Sequence, residues 1–275
     1  MAAATVNIKH VTVIGGGVMG SGIAMITAAN GYRVTVVEVS EDAAGRARRQ
    51  VEKDLRRMAQ HVSKGNEQAE GKFFTDTAAR LAYSLQLEEV VAGTDLKAPP
   101  HTILTSNTSS LSIGEISSTA ARKDRIGGLH FFNPVPMMRL IEVVRTKDTS
   151  DGTHEALLAF GKSLRKTCIT CRDVPGFVVN RLLFPVIHEA LGMVERGDAT
   201  HRDVDVAMKL GLGHPMGPFE LMDIVGLDTV RSILHERHAR NPADEGTRPS
   251  ELLERMVVRE KKLGVKSGEG FYSYK

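Results

Sequence analysis

The chain has 275 residues, 36 Lys+Arg against 33 Asp+Glu, a formal net charge of +3 and 41% hydrophobic residues. Charge this nearly balanced excludes a polyelectrolyte built for nucleic acid, and the hydrophobic content supports one large domain or two. No apolar run is long enough to span a bilayer, so no membrane partner is expected.

In chain order, the first signal is a β-branched strand, His10 to Ile14, which enters Gly15-Gly16-Gly17-Val18-Met19-Gly20. A helical pattern follows from Ser21 to about Asn30, then a second β-branched strand, Val34 to Val37, ending at Glu38. This is a G-x-G-x-x-G turn between strand and helix, with an acid at the end of the next strand. Gly15 allows the tight turn, Gly17 lets a pyrophosphate approach the backbone, and Gly20 lets helix and strand pack closely. The helix N-terminus that follows the turn offers free N–H groups and a partial positive charge to phosphate. Glu38 accepts from an adenosine ribose 2′-hydroxyl and repels a 2′-phosphate, so the turn predicts NAD rather than NADP.

Residues 41 to about 64 predict a charged amphipathic helix opened by Ser40-Glu41-Asp42. Arg46, Arg48, Arg49, Lys53, Arg56, Arg57 and Lys64 make it basic, as a solvated face or as the rim of an anionic-ligand site. Lys64 to Lys72 reads as a turn, Phe73 to Leu81 as a helix and Ala82 to Leu87 as a strand. A brief helix is predicted over Leu87 to Val91, and Gly93 to Leu96 begins a further strand. That strand stops at Lys97-Ala98-Pro99-Pro100-His101, and another, Thr102 to Thr105, follows at once. A crossover between parallel strands takes at least about ten residues, so one β-α unit is absent and this half of the sheet is irregular.

Ser112 to Thr119 predicts a short capped helix, Ile126 to Phe131 and Leu140 to Arg145 strands, Thr153 to Leu164 a helix, and Cys168 to Arg172 a last strand. From Pro175 the pattern is helical, over about 178–196, 201–210, 217–224, 227–238 and 250–262. The expected architecture is therefore α/β: a Rossmann-type, doubly wound, mostly parallel sheet over residues 1–174, then an all-α domain over 175–275. Cys168 and Cys171 form a C-x-x-C inside a β-like stretch, without the helix N-terminus of a redox pair or further zinc ligands. They read as structural thiols, and no metal site is expected.

Three polar clusters fall at strand ends, where open α/β sheets bind ligands. These are Ser106-Asn107-Thr108-Ser109-Ser110, His130-Phe131-Phe132-Asn133-Pro134-Val135-Pro136, and Glu142, the one charge inside Leu140-Ile141-Glu142-Val143-Val144. A carboxylate in an apolar strand needs a partner, and an imidazole is a suitable one.

Taken together, Gly15–Gly20 with Glu38, Ser106–Ser110, His130–Pro136, Pro175–Arg181, Pro215–Leu221 and Gly268–Tyr272 resemble L-3-hydroxyacyl-CoA dehydrogenases of the short-chain, mitochondrial type, in the family's order and over nearly the whole chain. The resemblance implies NAD-dependent oxidation of L-3-hydroxyacyl-CoA to 3-ketoacyl-CoA in fatty-acid β-oxidation. His130 is then the base, with Glu142 orienting it. Ser109 and Asn180 bind the substrate's oxygens, while Ser109, Asn133 and Lys266 lie at the cofactor beside Gly15, Gly17, Val18, Met19, Gly20 and Glu38. It also implies an acyl-CoA substrate, a homodimer formed through the helical domain, and the mitochondrial matrix. Only about nine residues precede the first strand, with no presequence pattern, which leaves the cytoplasm as the other expectation.

The chain departs from the family in three places. Leu96 to Pro100 stands where the family has a strand, an E-N pair and a helix, a shortfall of roughly twenty residues in keeping with the missing crossover. The lost strand would lie beside the first strand, leaving unpaired backbone. Asp54 and His61 replace a serine and a lysine near the CoA nucleotide, where Asp54 repels phosphate and Arg57 or Lys64 compensates. The alternative reading is an impaired or non-catalytic relative with a binding or structural role.

Overall fold

β1 (His10–Ile14) leads through the glycine turn into α1 (Val18–Ala29), and β2 (Arg33–Val37) returns parallel to β1 with Val13 beside Val36. The molecule is described from a computed structural model that covers residues 8–85 and 98–274. Gly17 is extended (φ −62°, ψ −172°) and caps α1, so the helix starts at Val18 rather than at Ser21. Gly20 fits because it has no side chain: a Cβ there would lie 1.8 Å from the Gly15 carbonyl oxygen. Gly15 itself has φ +87°, the left-handed region that favours glycine.

α2 (Glu41–Ser63) begins where Ser40 Oγ accepts from the Ala43 N–H at 3.2 Å, with Glu41 and Asp42 in its first turn. Its buried residues, Ala43, Ala44, Ala47, Val51, Leu55 and Ala59, form one stripe at helical spacing. α3 (Glu67–Ala78) starts earlier than the predicted Phe73, because the Asn66 side chain caps the Ala69 N–H at 3.0 Å and Glu67 and Glu70 occupy the first turn. β3 (Leu81–Ser84) is shorter than predicted and pairs parallel with β2. The helix predicted over 87–91 and the strand begun at 93–96 lie outside the described residues.

β4 (Leu104–Ser106), β5 (Ile126–Phe131), β6 (Leu140–Arg145) and β7 (Thr167–Arg172) form the second half of the unit in that order. β5 and β6 are antiparallel and the other two pairings parallel. α4 (Ile113–Ile116) and α5 (Asp151–Ser163) start on the hydroxyls of Ser112 and Ser150.

Among the described residues the strands pair in two groups, β1-β2-β3 and β4-β5-β6-β7. Among the described residues no strand joins β1 to β4. β5 is buried along its whole length, whereas Thr12 is exposed and Ile14 is 49% exposed on β1. A strand in the middle of a parallel sheet is ordinarily covered on both faces. One apolar cluster still joins the halves: Ile26 of α1 packs with Leu129, Phe131, Val135, Ile141, Val143, Leu157 and Phe160.

The chain divides into two compact units, Met1–Phe177 and Val178–Lys275. The second contains α6 (Val179–Arg196), α7 (His201–Leu212), α8 (Pro218–Val225), α9 (Leu227–Arg240) and α10 (Glu251–Glu254) around Phe219, Met222, Leu227, Leu191 and Leu253. The stretch predicted as a helix over 250–262 is helical over 251–259, but only its first turn, α10, is α-helical. The chain then widens over Arg255–Arg259, where the Glu260 N–H reaches back to the Arg255 carbonyl at 3.0 Å. Buried Asp223 ties down the C-terminal segment by accepting from the N–H groups of Phe271 (3.0 Å) and Tyr272 (2.9 Å) and from the Tyr274 hydroxyl (3.0 Å).

Gly20→Ala forces the glycine turn away from α1. Overpacking of about 1–3 kcal/mol lowers the melting temperature by roughly 2–12 °C. A calorimetric melt unchanged by the substitution contradicts this packing.

Candidate active site

His130 and Glu142 face each other directly across the antiparallel β5–β6 pair. His130 Nδ1 lies 2.7 Å from Glu142 Oε2, with the histidine 5% exposed and the glutamate 0%. The rings of Phe132 and Phe177 flank the imidazole at centroid distances of 4.6 and 5.5 Å. A carboxylate only accepts, so Nδ1 carries the hydrogen and Nε2 presents the lone pair. Such a fixed tautomer is what a proton-accepting histidine needs.

The Ser106–Ser110 run lies beside this pair because β4 is parallel to β5, with Ser106 beside Gly128. Within it, Asn107 Oδ1 accepts from the Phe131 N–H at 2.8 Å and so binds the run to the strand that carries His130. Asp173, just past β7, fixes the other end by accepting from the N–H groups of Ile113 (3.0 Å) and Gly114 (2.8 Å) and from the Ser112 hydroxyl (2.7 Å). Ser109 and Asn133 are exposed on these loops. The sequence places Asn107 in a polar cluster without assigning it a role, and Asp173 carries no assignment. The only signal for either was a polar residue next to a strand end.

The glycine turn suits a dinucleotide. An added Cβ at Gly17 meets nothing within 4 Å, and α1 has no side-chain cap, so the N–H groups of its first turn are available to phosphate. Glu38 is held against the turn, its Oε1 accepting from the Gly16 N–H at 2.5 Å. Ser21 Oγ donates to the Gly16 carbonyl at 2.7 Å and fixes the turn from the helix side.

On α2 the basic residues have two environments. Arg48 lies over the Tyr83 ring at 4.9 Å and Arg56 over the Phe74 ring at 4.5 Å, so these two cover apolar surface. Arg46, Arg49, Lys53 and Arg57 are exposed. Asp54 accepts from Gln50 Nε2 at 2.6 Å and lies 3.9 Å from Arg57. Asp54 thus draws Arg57 toward itself. His61 is exposed in the last turn.

In the second unit, Asn180 is in the first turn of α6, and Lys266, in the single turn Val265–Ser267, pairs with Asp228. The Lys266 ammonium holds the Asp228 carboxyl below its ordinary range. Burial raises the pKa of both thiols, that of Cys171 to about 12, which fits structural cysteines and not a redox pair. Among the described residues, no group of three His, Cys, Asp or Glu could hold a metal ion.

The comparisons with known proteins agree with this geometry. The family description "3-hydroxyacyl-CoA dehydrogenase, NAD binding domain" matches residues 10–174, and "3-hydroxyacyl-CoA dehydrogenase, C-terminal domain" matches residues 176–274. The chain belongs to the 3-hydroxyacyl-CoA dehydrogenase family. Its cofactor is accordingly NAD, and its reaction the NAD-dependent oxidation of a 3-hydroxyacyl-CoA in β-oxidation.

The mitochondrial hydroxyacyl-coenzyme A dehydrogenase of Rattus norvegicus is 47% identical over 289 positions, covering 98% of this chain and 92% of the relative. That of Homo sapiens is 46% identical, with the same coverage. The crystal structure of (S)-3-hydroxybutyryl-CoA dehydrogenase from Ralstonia eutropha superposes with a TM-score of 0.87 at 36% identity, over 98% of this chain and 100% of that one. In the rat alignment, 98% of 275 residues, about 270, fill 289 positions, so about twenty positions of the relative have no counterpart here. That shortfall is about the size of the strand–helix unit expected from the sequence to be lacking near Leu96 to Pro100.

Proposed function

We propose that His130 is the general base of this oxidation and that Glu142 positions it. The observation that carries this reading is the buried 2.7 Å contact between Nδ1 and Glu142 Oε2, which leaves Nε2 as the proton acceptor. NAD, when bound, supplies the hydride acceptor. As hydride leaves C3 of the substrate, the hydroxyl must give up its proton to become a ketone, and Nε2 takes it. The carboxylate stabilises the imidazolium that forms, and in the reverse direction the imidazolium returns the proton. Phe132 and Phe177 keep water from the imidazole faces. Ser109 and Asn133 are proposed contacts for substrate oxygen and cofactor from their place in the loops that flank β5. Asn180 and Lys266 are proposed from their place in the family's motifs.

His130→Gln keeps a hydrogen-bonding side chain and removes the base. Turnover of 3-hydroxybutyryl-CoA falls by about 10²- to 10⁴-fold, while NADH affinity is unchanged and the protein still melts cooperatively. Unaltered turnover shows that the base lies elsewhere. Oxidation of plain 3-hydroxybutyrate in preference to its CoA ester removes the acyl-CoA assignment.

A second reading, supported by the divided sheet, is a form whose cofactor half is impaired. It predicts a folded chain without turnover even before substitution.

Two further assignments belong here. The rat and human relatives are named mitochondrial, which supports the matrix as the compartment. Large apolar side chains stand exposed on the second unit's helices, Leu182 at 68%, Leu210 at 83% and Leu212 at 68%, which supports a homodimer formed through that unit. Leu210→Lys is then expected to shift the sedimentation coefficient from dimer to monomer. A monomer before substitution, or a dimer after it, argues against this face.

A further inference from the structure

Lys166 is a buried cation that nothing so far has used. It is 7% exposed, just before β7, where the Thr167 N–H is bonded to the Arg139 carbonyl at 2.7 Å. Its ammonium donates to three backbone carbonyls, those of Val135 (2.7 Å), Pro136 (3.4 Å) and Met138 (2.6 Å). All three donors are therefore spent on one short loop. No carboxylate lies within ion-pair distance of it among the described residues.

Burying an ammonium without a counter-charge is unfavourable, and an apolar side chain of the same length would fill the space at lower cost. Burial accordingly lowers its pKa. What the cation does that an apolar chain cannot is gather three carbonyls onto one nitrogen.

The loop it gathers runs on from β5. Phe132 packs on the His130 ring, Asn133 follows, and the N–H groups of Met137 and Met138 both turn back to the Pro134 carbonyl at 3.0 Å. From the opposite side Val135, 2% exposed, sits in a notch of α1, where a Cβ on Gly22 would come within 2.9 Å of it. The loop is thus held between the dinucleotide helix and the Lys166 ammonium.

We propose that Lys166 is a positioning residue for the oxidation: by binding the carbonyls of residues 135, 136 and 138 it fixes the loop that places Phe132 against the His130 ring and Asn133 beside it. The proposal rests on His130 being the base, and its test has an arm that does not depend on turnover.

Lys166→Met preserves length and removes the donors. Misplacing a loop by about 1 Å can cost about 10²-fold in rate, so kcat falls by about that factor; because Asn133 rides on the same loop, the KM for NAD rises with it, and the larger change is in kcat. In hydrogen exchange, the Met137 and Met138 amides exchange about tenfold faster or more, while the β5–β6 amides keep their rates, the mark of a local opening. Unchanged loop exchange in a folded variant, or exchange that rises equally in loop and strands, overturns the proposal. Where Lys166→Met does not fold, Lys166→Arg decides by the same comparison, because it keeps the charge and donors in a planar arrangement that does not match three carbonyls. If the unsubstituted protein shows no turnover, titration with NADH separates an impaired cofactor half (no binding) from a wrong assignment of His130 (binding without turnover), and the exchange arm still tests the loop.

Discussion

The structure of the site depends on one buried pair, the imidazole of His130 and the carboxylate of Glu142, fixed by the antiparallel register of β5 and β6. Either group alone would be costly inside a strand pair buried on both faces. Together they satisfy each other and define the tautomer. Much of the surrounding structure secures that register: Ile141 and Val143 of β6 and Leu129 and Phe131 of β5 fill the core around the pair. Asn107, Asp173 and Lys166 tie the adjoining loops to the same strands.

Against this well-supported half stands the divided sheet. The dinucleotide turn belongs to β1 and α1, the proton acceptor to β5. In the doubly wound arrangement an intervening strand would join them through backbone hydrogen bonds. Among the described residues the connection is made by side chains: Ile26 of α1 in the cluster with Leu129 and Phe131, and Val135 against Gly22. Packing of this kind holds two pieces together, but it lacks the directional constraint of a strand ladder. Among the described residues, the relation between the cofactor turn and His130 therefore rests on this side-chain packing.

Much of this was legible in the sequence because the signals were local. The glycine turn needs glycines at fixed offsets, Glu38 ends a clear β-branched run, and Glu142 is conspicuous as one charge in an apolar strand. The double proline at Pro99–Pro100 is the local signal behind the expectation of a missing crossover, because five residues cannot contain a helix. What escaped notice depended on tertiary contacts or on caps outweighed by composition. Lys64 to Lys72 is polar enough to resemble a turn, yet Asn66 starts a helix there. Ser250 to Lys262 has helical periodicity, yet the backbone widens after one turn. Lys166 looks like any surface lysine, because nothing local announces that three carbonyls from a loop some thirty residues earlier will surround it.

The central claim is that the glycine turn and Glu38 still form a working NAD site although no described strand joins the two sheets. It is tested most directly by isothermal titration of purified, folded protein with NADH. The account predicts saturable one-site binding with a Kd of about micromolar magnitude, roughly −8 kcal/mol. A sample that melts cooperatively and binds no NADH would contradict it, and would show that the missing strand was needed to build the cofactor site.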